Sequence, residues 1–195
     1  SNLTDTRDGQ QYPTVQIGTQ CWMAKNLNVG TMINGSSNQT NNATIEKYCY
    51  NNDANNCSEY GGLYQWDEAM GYSTTAGTQG ICPTGWHIPT SAEWYTLTDF
   101  LGGSSIAGGM MKETGTTHWN SPNTGATNSS GFTALGAGLV YYGGFGGLRA
   151  YADFWSSSLH SSTYGICRYL AYDNANVGFG SNIKVYGFSV RCLRN

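Results

Sequence analysis

Three histidines and a few carboxylates are the side chains of this chain that could act as acids, bases or metal ligands. The histidines are His87, His118 and His160, and no two of them have the spacing of a metal site. Asp67 and Glu113 have no second carboxylate placed by spacing for the acid and base of glycoside hydrolysis. Nucleophile, phosphate-binding and calcium-loop motifs are also missing from the sequence. We therefore expect no catalytic centre, no bound metal and no cofactor.

Tyrosine is the more informative residue type, because its distribution is uneven. Of the 14 tyrosines, seven lie in the last 55 residues: Tyr141, Tyr142, Tyr151, Tyr164, Tyr169, Tyr172 and Tyr186. Glycine, serine and asparagine surround them. Tyrosine offers a large contact area at a small entropic cost and the small polar residues offer adaptable hydrogen bonds, so the mixture is typical of binding surfaces. The alternative interpretation is an ordinary β-rich core with polar loops.

The same stretch lacks certain residue types, and a mutational mechanism would explain why. Asparagine codons that are randomised only at their adenines never become Lys, Glu, Gln, Met or Trp codons. Residues 1–138 contain 25 residues of these types, so the 48 residues of 139–186 should contain about nine at the same rate. They contain two, Trp155 and Lys184. The depletion favours a C-terminal region that is diversified at adenines.

Charge and hydropathy argue against two classes of partner. The net charge is −3 and no cluster of lysine or arginine occurs, so the chain lacks the electrostatic footprint of a nucleic-acid-binding protein. No run of about 18 apolar residues occurs either. We expect no nucleic acid partner and no direct membrane insertion.

The cysteine count favours disulfides in an oxidising compartment. Cys49 and Cys57 flank an asparagine-rich loop, and closing so short a loop makes a local disulfide between them favourable. A bridge between Cys82 and Cys192 would tie the middle of the chain to its C-terminus. The sequence alone leaves this second pairing open.

Two β elements are predicted at the ends of the chain. Residues 11–27 alternate apolar and polar positions on both sides of Gly18 and Thr19, which predicts a β-hairpin. Residues 187–195 alternate in the same way and predict a terminal strand. Pairing of this strand with the hairpin would close the domain on itself.

Two short helices are predicted between these ends. Residues 61–71 carry apolar residues at helical spacing, and residues 88–103 add a capping box at Thr90 and Glu93. Residues 31–62 should be an irregular excursion, and no helical period recurs after Gly103. The pattern predicts an α+β fold, with twisted antiparallel sheets, two short helices and long irregular loops, in one domain over residues 1–195.

Five segments in this order resemble the Fibrobacter succinogenes major paralogous domain of prokaryotic surface and secreted proteins. They are DGQQYPTVQIGTQCWMAKNLNVGT, YGGLYQWDEAM, GICPTGWHIPTSAEW, DFWSSS and GFSVRCLRN. HIPTSAEW and GFSVRC are also similar to the formylglycine-generating-enzyme branch of the C-type lectin fold. This second resemblance implies a C-type-lectin-like fold and not the activity.

The last quarter of the chain resembles the variable proteins of diversity-generating retroelements, which edit a C-terminal region of this fold at adenines to change its ligand. The resemblance implies a scaffold over 1–138 and, within 139–195, a hypervariable ligand-binding surface followed by the terminal strand. The candidate ligand-binding residues are Tyr141, Tyr142, Phe145, Arg149, Tyr151, Asp153, His160, Tyr164, Arg168, Tyr169, Asp173, Phe179, Ser181, Ile183 and Tyr186. Cys167 lies in the same region as an accidental thiol, which leaves Cys21 unpaired.

The resemblance further implies a protein or glycan ligand on another cell or virus surface, and an extracellular, cell-surface or virion-surface location. Two alternatives stay open. One is a fixed-specificity adhesin or carbohydrate-binding module of the same family, and the other is an enzyme of the formylglycine-generating type. The tripeptide motifs of calcium-dependent lectins are absent, since WNSPN at 119–123 does not match them. No cysteine pair can be assigned to the reactive pair of the oxidases.

Overall fold

The computed structural model describes residues 2–195, most of whose strands belong to two five-stranded sheets. The first sheet has the spatial order β1 (Asn2–Thr4), β2 (Gln11–Ile17), β3 (Gln20–Met23), β12 (Leu193–Arg194) and β6 (Trp86–His87). The second has the order β11 (Gly178–Ile183), β10 (Tyr164–Ala171), β9 (Tyr151–Leu159), β7 (Ala137–Tyr141) and β8 (Gly144–Leu148). A short parallel pair is formed by β4 (Thr31–Met32) and β5 (Glu46–Lys47). Within the two large sheets all pairs are antiparallel except β7 with β9.

The predicted hairpin and the closure of the domain are confirmed. Strands β2 and β3 pair across the Gly18–Thr19 turn, and Leu193 of β12 pairs with Trp22 of β3. The regular part of the terminal strand is only two residues long, shorter than predicted. Its preceding residues form single bridges to other segments, such as Gly187 to Val140. Residues 187–193 are buried because they run from the second sheet to the first.

The described part of the chain, 2–195, forms four α-helices: α1 (Ala54–Tyr60), α2 (Trp66–Ala69), α3 (Ser91–Phe100) and α4 (Ser104–Met111). Helix α3 begins at the predicted capping box, where the Thr90 hydroxyl accepts from the Glu93 amide and the Glu93 carboxylate accepts from the Thr90 amide. Helix α2 is shorter than predicted. The backbone of Leu63 pairs with Tyr48 in a β-bridge, so the residues before Trp66 are committed to extended structure.

Two helices contradict the sequence-based expectations. Helix α1 lies within the segment expected to be irregular, where Asp53 caps it by accepting from the Asn55 amide. Helix α4 lies after Gly103, where no helix was predicted. Its glycines lower helix propensity, but tertiary packing requires them, because a Cβ on Gly108 would lie 2.2 Å from the carbonyl oxygen of Asn176.

The core of residues 2–195 holds two large hydrophobic clusters, one around Trp66 and Trp155 and a second around Trp22 and Trp94, and a small third one of Tyr48, Leu63 and Val140. Arg191 is fully buried beside the second cluster. Its guanidinium donates to the Asn26 side chain and to the backbone carbonyls of Met23, Phe132 and Thr133, and stacks 4.4 Å from the Phe132 ring. Burial lowers the pKa of Arg191 to about 9.

Both proposed disulfides are confirmed, Cys49 with Cys57 and Cys82 with Cys192. Cys21 and Cys167 are free and buried. Two disulfides are typical of proteins in oxidising compartments. Within residues 2–195, no helix is both long enough and apolar enough to cross a lipid bilayer.

Candidate ligand-binding face

Six tyrosines of the second sheet and its connections form a surface that we call the tyrosine face. Five of these residues are exposed, from 39% for Tyr164 to 79% for Tyr142, and the sixth is half-buried. Strands β7, β9 and β10, the β7–β8 turn and the segment after β11 supply them. The members are Tyr141, Tyr142, Tyr151, Tyr164, Tyr169 and Tyr186.

Three of these rings form an aromatic group at one end of the face. The centroid of the Tyr142 ring lies 5.3 Å from that of Tyr186 and 6.3 Å from that of Tyr141, both in edge-to-face geometry. Burial and a hydrogen bond with Tyr142 raise the pKa of Tyr186 to about 12, and Tyr164 is near enough to add to the shift. Tyr142 has a φ of 48°, in the left-handed region, which places its side chain at the tip of the β7–β8 hairpin.

Glycines on β11 and β8 leave room for two of these rings, Tyr169 and Tyr151. A Cβ on Gly178 of β11 would come 2.1 Å from Cζ of Tyr169. A Cβ on Gly147 of β8 would come 2.9 Å from Cδ2 of Tyr151. Tyr169 therefore leans over β11 and Tyr151 leans the opposite way over β8. Beside Tyr151 is an open recess of about 280 Å³, lined by Leu139, Tyr141, Gly146, Gly147, Tyr151 and Tyr186.

Asp153 lies in the floor between these two rings. Side chains alternate along a strand, so Asp153 shares its face of β9 with Tyr151, and it pairs directly with Tyr169 of β10. It is 8% exposed, and burial raises its pKa to about 7. Nearby, Cys167 accepts a hydrogen bond from the Asn182 amide at 3.2 Å, and burial raises the pKa of its thiol to about 12.

Arg168 does not lie on the tyrosine face, which corrects the expectation of an exposed position. It is 2% exposed and points from β10 toward α3, where its guanidinium donates to the hydroxyl and the carbonyl of Ser91. Its Cζ lies 4.7 Å from the Tyr95 ring centroid and 4.4 Å from that of Phe179. Phe179 is on this side of the sheet too, since it pairs with Arg168. Asp153 is likewise buried and forms floor, not surface.

The other candidate residues are scattered around the rim and the adjoining loops. Phe145 is half-buried against Tyr50, with ring centroids 5.3 Å apart. Arg149 is half-buried and donates to the carbonyls of Thr116 and Trp119. Ile183 is half-buried as well. The exposed ones are His160, Asp173 and Ser181.

A histidine between two carboxylates was missed by the sequence reasoning. Nε2 of His118 lies 2.6 Å from Glu59 and Nδ1 lies 2.6 Å from Glu113. These residues line a cavity of about 310 Å³, together with Lys25 and Arg191. Glu59 comes from α1, a helix that was not predicted. Between residues 2 and 195, no group of three or more His, Cys, Asp or Glu side chains is placed to hold a metal.

The fold and the face together define a disulfide-containing α+β domain that displays aromatic side chains from one sheet. The chain matches the family model of the Fibrobacter succinogenes major domain over residues 15–194. It therefore belongs to this family, as its segment order indicated. No curated protein and no solved structure gives a significant match to the chain.

Proposed function

We propose that this protein is a non-enzymatic ligand-binding protein with a C-type-lectin-like fold, whose C-terminal surface is diversified by the adenine-directed mutagenesis of a diversity-generating retroelement. The observation that carries the proposal is the tyrosine face itself. Its residues come from separate strands and turns within 139–186, the stretch depleted of the types that edited asparagine codons cannot encode. Exposed tyrosines among small polar residues are the chemistry of adaptable binding surfaces.

Trp155 and Lys184 are the two residues of this stretch that an edited asparagine codon cannot encode, and their positions support the proposal. Trp155 is fully buried and its indole donates to the carbonyl of Tyr64 at 2.8 Å. Lys184 donates to Asp67 at 3.0 Å, and its ammonium lies 4.3 Å from the Trp66 ring centroid. Both side chains fasten the region to the scaffold. This arrangement is expected of a surface whose sequence varies while the residues that anchor it to the scaffold stay the same.

The proposed partner is a protein or glycan on another cell or virus surface. A ligand would contact the aromatic anchors first, with the serine, glycine and asparagine residues around them adapting to its shape. We propose an extracellular, cell-surface or virion-surface location, which the two disulfides support.

The test is the DNA sequence of the gene and its flanks. We expect a near-copy of the segment that encodes 139–186, differing from it almost only where the copy has adenine, with a reverse transcriptase gene nearby. The differences should fall at exposed positions such as Tyr142 and Tyr169 and spare the codons of Trp155 and Lys184. The segment that encodes 1–138 is the internal control and should have no such copy. A gene without any repeat would overturn diversification and favour a fixed-specificity adhesin or carbohydrate-binding module.

A further inference from the structure

We propose that the pocket between Tyr169 and the start of helix α4 binds one neutral sugar ring of a glycan, and that direct hydrogen bonds hold the sugar hydroxyls. This inference rests on the ligand-binding role proposed for the tyrosine face, and it selects a glycan from the two ligand classes proposed for that face. It does not depend on whether the face is diversified.

The pocket is an open recess of about 280 Å³ at the edge of the second sheet, where β11 begins beside α4. Tyr169 of the tyrosine face is exposed and forms part of its wall, with the ring lying over Gly178. The volume suits a single six-membered ring better than a larger ligand. The polar part of the wall comes from the start of α4 and from the β10–β11 connection, and consists of Ser104, Ser105, Asn174 and Asn176.

Three polar side chains of this wall have hydrogen-bonding capacity to spare. Within the described residues 2–195, the hydroxyls of Ser104 and Ser105 and the side-chain amide of Asn176 have no hydrogen-bond partner. All three residues are exposed, so a ligand can reach them. Hydroxyl and amide groups both donate and accept, and so do the hydroxyls of a sugar. These side chains therefore match a ligand that carries several hydroxyl groups.

The charge of the wall favours a neutral ligand. The lining residues are serine, asparagine, tyrosine, valine and glycine, which are all uncharged at neutral pH. An ionic ligand would find no counterion among them. A calcium ion prefers carboxylate ligands, which this wall does not supply. Direct hydrogen bonds are thus the way in which the pocket can hold a sugar.

Tyr169 supplies the apolar contact that a sugar ring also needs. A pyranose ring presents C–H groups on its faces and hydroxyls around its edge. An aromatic side chain offers a large flat surface with a negative face, against which such C–H groups pack. Val177 adds a second apolar side chain to the lining. The combination of one aromatic ring with several neutral hydrogen-bonding groups is specific for a polyhydroxylated ring.

The β10–β11 connection is fixed before any ligand binds. Lys112 is fully buried, and its ammonium donates to the carbonyl of Asn174 at 2.8 Å. The side-chain oxygen of Asn174 accepts from the amide of Asn176 at 2.9 Å. The amide of Val177 donates to the carbonyl of Ser104 at 2.7 Å, which fastens the connection to α4. A pocket with ordered walls loses little conformational entropy when its ligand binds.

The experiment is saturation-transfer NMR of the full chain with the methyl glycosides of glucose, galactose and mannose, in the presence of EDTA. These probes differ in the orientation of the hydroxyls at C2 and C4, so they sample the main hydrogen-bonding patterns of a neutral hexose. At least one should bind with a millimolar Kd, as expected for a single ring in an open pocket. Tyr169→Ala should weaken its binding by about tenfold or more, and Tyr169→Phe should preserve it, because the ring is the contact. Asn176→Ala should weaken it by about threefold or more.

Matched controls separate this pocket from the rest of the tyrosine face. Tyr164→Ala removes another exposed tyrosine of the face, outside the pocket, and should leave glycoside binding unchanged. Tetrahydropyran has the ring without the hydroxyls and should not compete. The absence of binding by all three glycosides at about 100 mM would overturn the proposal. So would equal weakening by Tyr164→Ala and Tyr169→Ala, loss of binding in EDTA, or displacement by sodium sulfate, which would indicate an anion site at the start of α4.

The two proposals fail in different ways. A missing DNA repeat removes diversification and leaves glycoside binding to be measured on its own. A gene that carries the repeat and a protein that binds no glycoside would remove the sugar pocket and leave the diversified face with a protein ligand.

Discussion

Asp153 makes the folded protein sensitive to pH. An aspartate in the unfolded chain has a pKa near 3.8, whereas burial raises the pKa of Asp153 to about 7 in the fold. The folded state therefore holds a proton that the unfolded state releases between these values. The contribution of this group to stability is fully present below about pH 4 and is lost as the pH rises through about 7.

Asp153→Asn should remove this dependence. The amide has the same shape and no charge, so the variant should match the wild type at pH 4 and exceed its free energy of unfolding at pH 8 by on the order of 4 kcal/mol. Urea unfolding at pH 4, 6 and 8 measures the difference, with Asp99→Asn as the control for an exposed carboxyl. Parallel pH profiles for the wild type and Asp153→Asn would contradict the prediction.

At the scale of single residues, the sequence indicated where tyrosines concentrate but not which side chains share a surface. Both Tyr169 and Arg168 can arise from an asparagine codon randomised at its adenines, so the codon argument does not distinguish them. Adjacent residues of a strand nevertheless point to opposite faces of the sheet. The register shift between Gly165 and Cys167 makes the alternation harder to follow from the sequence. The approach of Glu59 to His118 depends on tertiary packing and leaves no signal in local spacing.

Strand β11 carries a glycine, Gly178, at the place where the Tyr169 ring of the tyrosine face lies against it. Gly178→Ala should destabilise the protein by about 1–3 kcal/mol, because the new methyl group would overlap the Tyr169 ring. In a Tyr169→Ala background the same change should cost less than half as much. Gly144→Ala on β8 is the matched control, since its Cβ would lie no closer than 3.7 Å to the surrounding atoms.

Urea unfolding of the four variants and the wild type gives the coupling between positions 169 and 178. Equal losses for Gly178→Ala with and without the Tyr169 ring would show that the ring does not lie on this glycine. The strain would then belong to the strand backbone.

The elements themselves were predictable where local rules decide them. The capping box of α3 and the hairpin turn at Gly18 are local signals, and both appear in the structure. Helix α4 was not predictable because Gly108 and Gly109 disfavour a helix locally. The close approach of the Asn176 carbonyl to Gly108 and of the Gly125 carbonyl to Gly109 makes these glycines necessary. The length of helix α2 was overestimated, because long-range β-bridges hold Leu63 and Tyr64 in extended structure before it.

At the scale of the molecule, the α+β class and the family were predictable because they depend on the order of whole segments. Closure of the domain followed from the alternating patterns at its two ends. The sequence left the second disulfide open, since six cysteines permit many pairings. The structure pairs Cys82 with Cys192, which fastens the residues after β11 to the middle of the chain.

The two disulfides should differ in what they contribute to stability. Cys82 and Cys192 are 110 residues apart and Cys49 and Cys57 are 8 apart, so the first bridge removes far more freedom from the unfolded chain. In the chain-entropy description the difference is roughly 2 kcal/mol. Replacing Cys82 and Cys192 by alanine should therefore lower the free energy of unfolding by about that much more than replacing Cys49 and Cys57.

The local pair is a fair control because all four cysteines are buried, so both double variants lose a similar amount of packing. Urea unfolding of the two variants measures the losses. Equal losses in the free energy of unfolding would mean that positions 82 and 192 are already close to each other in the unfolded chain. A larger loss for the local pair would mean that α1 depends on its bridge to fold. The expected order would show that the long bridge stabilises the scaffold from which the tyrosine face is displayed, so that this surface can vary in sequence while the fold persists.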